Sequence, residues 1–237
     1  MSKKLKWLLI PLCSLMISFP ALAANDDDDL RNLQGKLGNE WIQVKNDRRH
    51  KIKSFVKQED GKRYRTIKTE AEHEGTLATA VRVMTDFDQY GRWSWNVRES
   101  RLLKQVSPTE YYVYVVHESP PGIPDRDIVF HMVFEPPTPS KPYLVLRTNA
   151  AQNYIPEKPP MVRMLAEDVA VRLVPQPNNK ILMTMEGYVD PGGTMPPWAI
   201  NFVSRSAPYV TMLGMRRMMQ LDEYINSKKP LPFSVGE

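Results

Sequence analysis

The sequence predicts an α+β fold in which a curved antiparallel sheet wraps around one long helix near the C-terminal end. Strand-like stretches rich in β-branched and aromatic residues fill most of the chain after residue 97. The connections between them are short and proline-rich, whereas parallel strands would need crossovers of about a dozen residues or more. The final segment, from about Pro197 to Ser227, repeats apolar residues every three or four positions, which predicts an amphipathic helix. One sheet packed on this helix is the simplest arrangement that buries both apolar faces.

The first 23 residues have the layout of a secretory signal peptide. Three lysines precede an apolar stretch from Trp7 to Phe19, which is followed by Ala21-Leu22-Ala23. A basic start, a short apolar region and a small-x-small site are typical of a leader that is cleaved. A membrane-spanning helix would need about 20 apolar residues. We therefore expect residues 1–23 to be removed and residues 24–237 to form one exported domain, periplasmic or secreted.

Charge and cysteine content exclude several classes of function. The chain has 32 basic and 27 acidic residues, and without its three leader lysines the balance is 29 against 27. This small excess does not support nucleic-acid binding, which draws its affinity from clustered Lys and Arg. The only cysteine, Cys13, lies in the predicted leader. The mature chain therefore lacks thiols for a disulfide, a thiolate metal site or a cysteine nucleophile.

The first part of the mature chain predicts helices on either side of three short strands. A helix is expected at 30–37, ended by Gly38. Alternating runs predict strands at 41–44, 51–56 and 64–69. From Thr76 to Phe87 the apolar residues recur at helical spacing, which predicts a helix capped by Thr76. The aromatic-rich residues 88–95 predict a turn or a second helix.

The second part predicts an antiparallel meander that leads into the long helix. Strands are expected at 111–118, 128–134, 143–148, 169–174 and 181–189. Clusters of proline separate them, so each strand should be followed by a stiff turn. Within the last helix Pro208 predicts a kink or a break.

Motifs of the common enzyme classes are absent from the sequence. It contains no G-x-S-x-G, no G-x-x-x-x-G-K and no H-E-x-x-H. The four histidines have no pair at chelating spacing, although His117 and His131 could face each other across neighbouring strands, which leaves a two-histidine site open. The 13 methionines fit either an adaptable apolar binding surface or an ordinary core. We predict no metal and no cofactor.

Three stretches, in the right order, resemble one known family. They are Pro124-Asp125-Arg126-Asp127-Ile128-Val129, then Met161-Val162-Arg163, and then Val189 to Gly193 continuing through Pro196-Pro197-Trp198-Ala199-Ile200-Asn201. Together they resemble the START family, the lipid-transfer domains related to the steroidogenic acute regulatory protein. The resemblance covers about residues 30–225.

This resemblance implies a helix-grip fold with a hydrophobic tunnel between the sheet and the last helix. It implies that the tunnel holds one lipid, such as a sterol, a phospholipid or a fatty-acid derivative. The protein would then act as a monomer that carries lipid between membranes, touches membrane surfaces transiently and performs no catalysis. An alternative on the same fold is an enzyme like the polyketide cyclases and aromatases, which use Tyr, Arg and His in the pocket as acid or base.

The resemblance and the strand pattern also indicate candidate site residues. The predicted ligand contacts are Tyr112, Tyr114, Phe130, Met132, Arg163, Met183, Met185, Trp198, Phe202 and Met212. The predicted gate is the loop 119–125, with Pro121, Gly122 and Ile123, together with the last helix.

Other positions are expected to have supporting roles. Arg126 and Asp127 should fix the start of their strand by charge-assisted hydrogen bonds, and direct contact with the ligand is the alternative. Met132 stands where sterol-binding members often have an arginine, which favours another head group. Three arginines of the last helix either attract anionic head groups or form a solvated basic face: Arg205, Arg216 and Arg217.

Overall fold

The structure is a computed structural model that describes residues 40–236. The predicted signal peptide and the predicted helix at 30–37 lie outside the described residues. The strands are β1 (Ile42–Asp47), β2 (Ile52–Lys57), β3 (Thr66–Glu74), β4 (Val97–Ser107), β5 (Glu110–His117), β6 (Arg126–Glu135), β7 (Leu144–Ala150), β8 (Val162–Arg163), β9 (Ala166–Gln176) and β10 (Lys180–Asp190). The helices are α1 (Leu77–Thr85), a 3-10 helix (Phe87–Arg92), α2 (Pro197–Met219) and α3 (Asp222–Ile225).

The strands form one curved antiparallel sheet, which confirms the predicted helix-grip fold. The order across the sheet is β1-β2-β3-β10-β9-β7-β6-β5-β4, and the short β8 pairs in parallel with β6. Two meanders therefore meet where β10 pairs with β3, for example at Met183 opposite Ala71. This pairing joins the two meanders into one sheet, although residues 75–179 separate the two strands in the chain.

Several element boundaries differ from the sequence prediction. Strand β4 was not predicted, because none of its residues is buried and its sequence shows no apolar alternation. Helix α2 continues through Pro208 without a break and ends at Met219, where Gln220 caps it and the separate short α3 follows. The aromatic stretch after α1 forms a 3-10 helix.

Helix α1 begins where the sequence predicts. The side chain of Thr76 accepts a hydrogen bond from the backbone amide of Thr79 at 3.3 Å, which satisfies one of the free amides at the helix start. The apolar face of α1, including Val81 and Met84, is buried in the main core. This core fixes α1 against the second half of α2.

Helix α2 is anchored in this core by its C-terminal half. Met212, Met215, Met218 and Met219 are fully buried there. A Cβ atom at Gly214 would lie 2.2 Å from the carbonyl oxygen of Trp93, so only glycine allows this close approach.

The outer face of the sheet is held by a buried ion pair. Arg163 donates from Nε and Nη2 to the two carboxylate oxygens of Asp127, each at 2.9 Å. The same guanidinium donates to the carbonyl oxygens of Gln152, Ile155 and Pro156, and the hydroxyl of Tyr114 donates to Asp127 at 3.2 Å. Because both charges are buried and fully bonded, this pair fixes the loop before β8 onto the sheet.

His73 on β3 is buried in the core, and neither of its ring nitrogens has a hydrogen-bond partner. Burial, with a smaller contribution from Arg216, lowers the pKa of His73 to about 4. The native state therefore resists protonation of this ring, whereas the unfolded chain takes up a proton near pH 6.5. The stability of the fold should fall as the pH drops from 6.5 to 4.

We predict that His73→Leu removes this acid-induced loss. The wild type should lose up to about 3 kcal/mol of unfolding free energy through His73 between pH 6.5 and pH 4, and the variant should not. Urea unfolding measured across this pH range checks the prediction. Parallel pH profiles of the two proteins would contradict it.

Candidate functional site

A cavity lies between the inner face of the sheet and the N-terminal half of α2. The cavity has a volume of about 210 Å³. The strands contribute apolar side chains from alternate positions, so one face of each strand meets the cavity. These side chains are Phe130, Leu146, Val169, Val171, Met183, Met185 and Val189.

Helix α2 closes the opposite side. Its cavity face presents Ile200, Val203, Ala207 and Met212. In this first half of the helix only Ala199 is buried, in contrast to the methionine-rich second half. Pro208 stands near the border between the two halves and lines the cavity. The cavity therefore exists because α2 is packed tightly against the core only beyond this proline.

Arg126 is the buried cation of the cavity wall. Only 3% of its surface is exposed. Its Nη1 donates to the carbonyl oxygen of Pro124 and, at 3.4 Å, to the hydroxyl of Ser119, whereas Nε and Nη2 have no partner. The charge of Asp125 acts on it, but that carboxylate is bound by Arg98 and by the backbone amide of Ser119. Burial lowers the pKa of the Arg126 guanidinium.

Polar atoms without partners accompany Arg126. The hydroxyl of Tyr64 and the indole nitrogen of Trp93 are buried and unbonded, and both residues line the cavity. His117 lies opposite Arg126 in the β5–β6 register, and its Nδ1 is 3.1 Å from the carbonyl oxygen of Trp95. Since a carbonyl only accepts, Nδ1 carries the proton, and the unbonded Nε2 is an acceptor in the neutral ring. Burial lowers the pKa of His117.

Glu167, at the start of β9, is an unpaired acid in the cavity wall. No residue between 40 and 236 donates a hydrogen bond to its carboxylate or pairs with it. Burial raises the pKa of Glu167 to about 7, and the charge of Glu167 in turn contributes to the raised pKa of Tyr90. A buried carboxylate without a partner lowers the free energy of unfolding at neutral pH. Such a cost is typical of groups that are retained for function.

The structure brings four of the ten predicted contact residues into the cavity wall: Phe130, Met183, Met185 and Met212. Met132 shares the inner face with Phe130 but lies in the closed core. Of the methionines, Met195 also lines the cavity, whereas Met215, Met218 and Met219 fill the core. Methionines therefore occur both in the cavity wall and in the closed core.

The remaining contact predictions are corrected by side-chain direction. Tyr112, Tyr114 and Arg163 lie outside the cavity, because the even positions of β5 face outward and Arg163 pairs with Asp127 there. Trp198 and Phe202 lie on the outer side of α2, with 56% and 50% of their surface exposed. The cavity residues that sequence reasoning missed are chiefly Tyr64, Trp93 and Glu167.

Other predictions about polar residues also change. His131 is opposite Tyr112 and pairs with Glu110 on the outer face, so it cannot share a site with His117. Arg216 donates to the carbonyl oxygens of His50 and Glu72, and Arg217 donates to that of Arg92, so both are engaged within the protein.

The predicted gate loop lies beside the cavity. Ser119 and Arg126, at its two ends, line the cavity, whereas Pro121, Gly122 and Ile123 lie further out. Gly122 has a φ of 83°, and the amide of Ile123 donates to the carbonyl oxygen of Pro120, so the loop is a tight turn that depends on glycine. The loop therefore borders the cavity through Ser119, whereas its turn lies outside the cavity wall.

The described part of the chain contains neither a membrane-spanning helix nor a cluster of metal-binding side chains. No helix within residues 40–236 combines the length and apolar character needed to cross a bilayer. Within the same residues, no group of three or more His, Cys, Asp or Glu side chains could hold a metal ion.

Comparison with known proteins places these features in a family context. The sequence profile of the START domain matches residues 23–223. An uncharacterized protein of Pseudomonas aeruginosa is 23% identical over 180 residues, which is 76% of this chain and 87% of that protein.

Solved structures agree in fold. A fragment of a STAR-related lipid transfer protein from Xanthomonas axonopodis has a TM-score of 0.69 and 26% identity, over 76% of this chain and 99% of that one. Human StAR-related lipid transfer protein 5 has a TM-score of 0.64 over 81% of this chain and 92% of that one. At 15% identity, the human likeness concerns the fold alone.

We predict that Glu167→Gln stabilises the protein above neutral pH. In the wild type, stability falls as the pH rises from about 4.5 to about 7, because the unfolded chain releases this proton more easily than the native state does. The variant should gain up to about 3 kcal/mol of unfolding free energy at pH 8 and little at pH 4. The control is Glu186→Gln on the exposed face of β10, which should change little at either pH. Equal stability of wild type and Glu167→Gln at pH 8 would contradict the prediction.

Proposed function

The chain belongs to the START domain family, and from this premise we propose that it binds one hydrophobic lipid in the cavity and carries it between membranes. The observation that carries the proposal is the apolar cavity under the first half of α2, walled by Phe130, Met183, Met185 and Met212. An enclosed apolar wall with a few polar groups is the usual form of a site for a hydrophobic ligand. Methionine suits such a wall, because its flexible side chain adapts to different acyl shapes.

In this proposal the protein binds and releases the lipid without altering it chemically. Support comes from the similarity to the Xanthomonas protein described as a STAR-related lipid transfer protein. The alternative, a cyclase- or aromatase-like enzyme, would use the cavity acid Glu167 or the ring of His117. Mass spectrometry of the ligand before and after incubation separates the two, because an enzyme would return a product of altered mass or structure.

Exchange of a bound lipid is favoured where part of the wall can move. The first half of α2 has one buried residue, Ala199, and Pro208 removes one hydrogen bond where this half joins the anchored half. We place the main gate here, with the turn at Pro121, Gly122 and Ile123 as its neighbour. Movement about Pro208 would open the cavity while Gly214 keeps the second half in position.

The outer side of the same half-helix is suited to contact a membrane surface. Trp198 and Phe202 are exposed, and the ring of Phe202 packs edge-on against Trp95 with centroids 6.4 Å apart. Leu165 is also exposed. Exposed aromatic side chains favour the membrane interface. The patch of Trp198 and Phe202 would therefore bring the gate to the membrane surface.

The expected place of action is outside the cytoplasm, in the periplasm or beyond it. Support comes from the leader-like residues 1–23. A monomer that meets membranes only transiently is sufficient for this role.

We predict that Met185→Glu abolishes lipid binding. A charge at this position would have to be desolvated against the bound acyl chain, which is strongly unfavourable. Uptake of a fluorescent fatty acid should be lost while the circular dichroism spectrum is retained. Leu182→Glu, on the exposed face of the same strand, is the matched control and should bind normally. Normal uptake by Met185→Glu would rule out this cavity as the binding site.

We also predict that the double variant Trp198→Ser/Phe202→Ser slows lipid transfer between vesicles. Each aromatic side chain contributes apolar surface to the membrane contact, so vesicle affinity should fall about tenfold or more. Equilibrium binding of the lipid should stay unchanged, because neither side chain lines the cavity. Val210→Ser, another exposed apolar position on α2, is the control. Transfer at the wild-type rate by the double variant would show that another surface meets the membrane.

A further inference from the structure

We propose that the bound lipid has an oxyanionic head group, a phosphate or a carboxylate, which is held by Arg126 with the hydroxyl of Tyr64. This inference rests on the proposed function, and it names the class of lipid. It also assigns the two residues of the Arg126-Asp127 motif to different tasks.

Arg126 lacks a partner for its buried charge. Buried arginines are normally paired with a carboxylate or hydrogen-bonded at all their donors. Arg126 is more buried than Arg163, yet no carboxylate among residues 40–236 forms an ion pair with it, and its Nε and Nη2 atoms lack acceptors. Adjacent donors on one guanidinium match the two oxygens of a phosphate or carboxylate. A ligand oxyanion would therefore complete the hydrogen bonding of this side chain.

The groups around Arg126 are also suited to bind an oxyanion. The charge of Arg126 acts on Tyr64, whose buried hydroxyl is also unbonded and supplies a further donor. The charge of Asp125 reaches Arg126, but its carboxylate is held by Arg98 and the amide of Ser119. His117 is neutral when the site is empty, and an oxyanion beside it favours the protonated ring, in which Nε2 also donates.

The neighbouring wall carries a second positive charge. Arg65, next to Tyr64 in the chain, lines the cavity and has no hydrogen bond or ion pair to any described residue. Burial lowers the pKa of Arg65, and the charge of Arg205 on α2 lowers it further. A half-buried guanidinium adds to the positive potential of this wall, which favours an anionic head group. The wall acid Glu167 does not contribute to the pKa shifts of Arg126 or Arg65.

The positions of the polar and apolar lining residues also set the orientation of the lipid in the cavity. Tyr64, Arg65, His117 and Arg126 stand at the ends of β3, β5 and β6. The apolar residues Met84 and Met183 lie toward the core-filled end. The head group would therefore lie near the start of β6, with the acyl chain extending toward the methionines.

The test uses lipid pairs that share an acyl chain and differ in the head group. Lysophosphatidic acid is compared with monoacylglycerol, and a fatty acid is compared with its methyl ester. Binding to the wild-type protein is followed by the fluorescence of Trp93 and Trp95, which line the cavity. The anionic member of at least one pair should bind about tenfold or more tightly than its neutral partner. The pair with the larger ratio distinguishes phosphate from carboxylate.

Variants connect this preference to Arg126. Arg126→Gln should remove the preference for the anionic member of each pair. Arg126→Lys should retain part of it, because the charge remains but the paired donors are lost. Arg147→Gln, an exposed arginine on β7 that pairs with Glu135, is the control and should keep the full preference.

The outcomes separate the two proposals. Equal binding of both members of each pair to the wild type would overturn the oxyanion assignment, while lipid binding itself would stand. Binding of no lipid at all would overturn the proposed function together with it. Should Arg126→Gln fail to fold, the comparison on the wild-type protein decides the question alone.

Discussion

The position of helix α2 is set by a contact that leaves no space for a side chain at Gly214. A Cβ atom there would lie 2.2 Å from the carbonyl oxygen and 2.7 Å from the Cα of Trp93, so the helix can approach the segment after the 3-10 helix only through glycine. Methionines on either side of this contact fill the core. Before Pro208, in the N-terminal half, the helix has no comparable contact, and the space that remains under it is the cavity. The close packing of one half of α2 and the open space under the other half are thus two results of one constraint.

A second constraint comes from the alternation of side chains along β6. Asp127 faces outward and is fully bonded to Arg163 and Tyr114, whereas Arg126 faces inward and has two donor atoms without partners. Removing one member of a buried ion pair costs several kcal/mol, so Asp127 and Arg163 are needed for the fold. Arg126 has no such role in closing the outer face, and its desolvated charge is instead available to the cavity. Adjacent residues of one motif therefore differ in environment: Asp127 belongs to the ion pair of the outer face, and Arg126 faces the cavity, where we propose that it holds the head group.

Much of the fold could be predicted from the sequence, because its signals are local or carried by motifs. The helices could be predicted from the cap at Thr76 and from the apolar period of α1 and α2. The strands could be predicted from the β-rich runs that prolines separate. Strand β4 could not be predicted, since an edge strand without buried residues shows no apolar alternation. The pairing of β10 with β3 depends on closure of the whole sheet, which no local pattern records.

The candidate site was harder to predict, for a physical reason. Strand β5 is buried on both faces, so Tyr112 and Tyr114 have the same apolar context as Tyr111 and Val113 but point away from the cavity. When a strand is apolar throughout, its sequence does not show which alternate side chains point toward the cavity. Glu167 resembles any surface acid in the sequence, and only the enclosing wall raises its pKa. By contrast, Met183 and Met185 lie in a strand with an exposed outer face, where alternation identifies the inner side.

A crystal structure of the protein, incubated with lipid extract and purified without detergent, tests directly whether the lipid binds in the cavity. We expect continuous elongated density between the inner face of the sheet and the first half of α2, along Met183 and Met185. Density at the outer face of the sheet, or water alone in a cavity that stays empty at saturating lipid, would contradict this expectation.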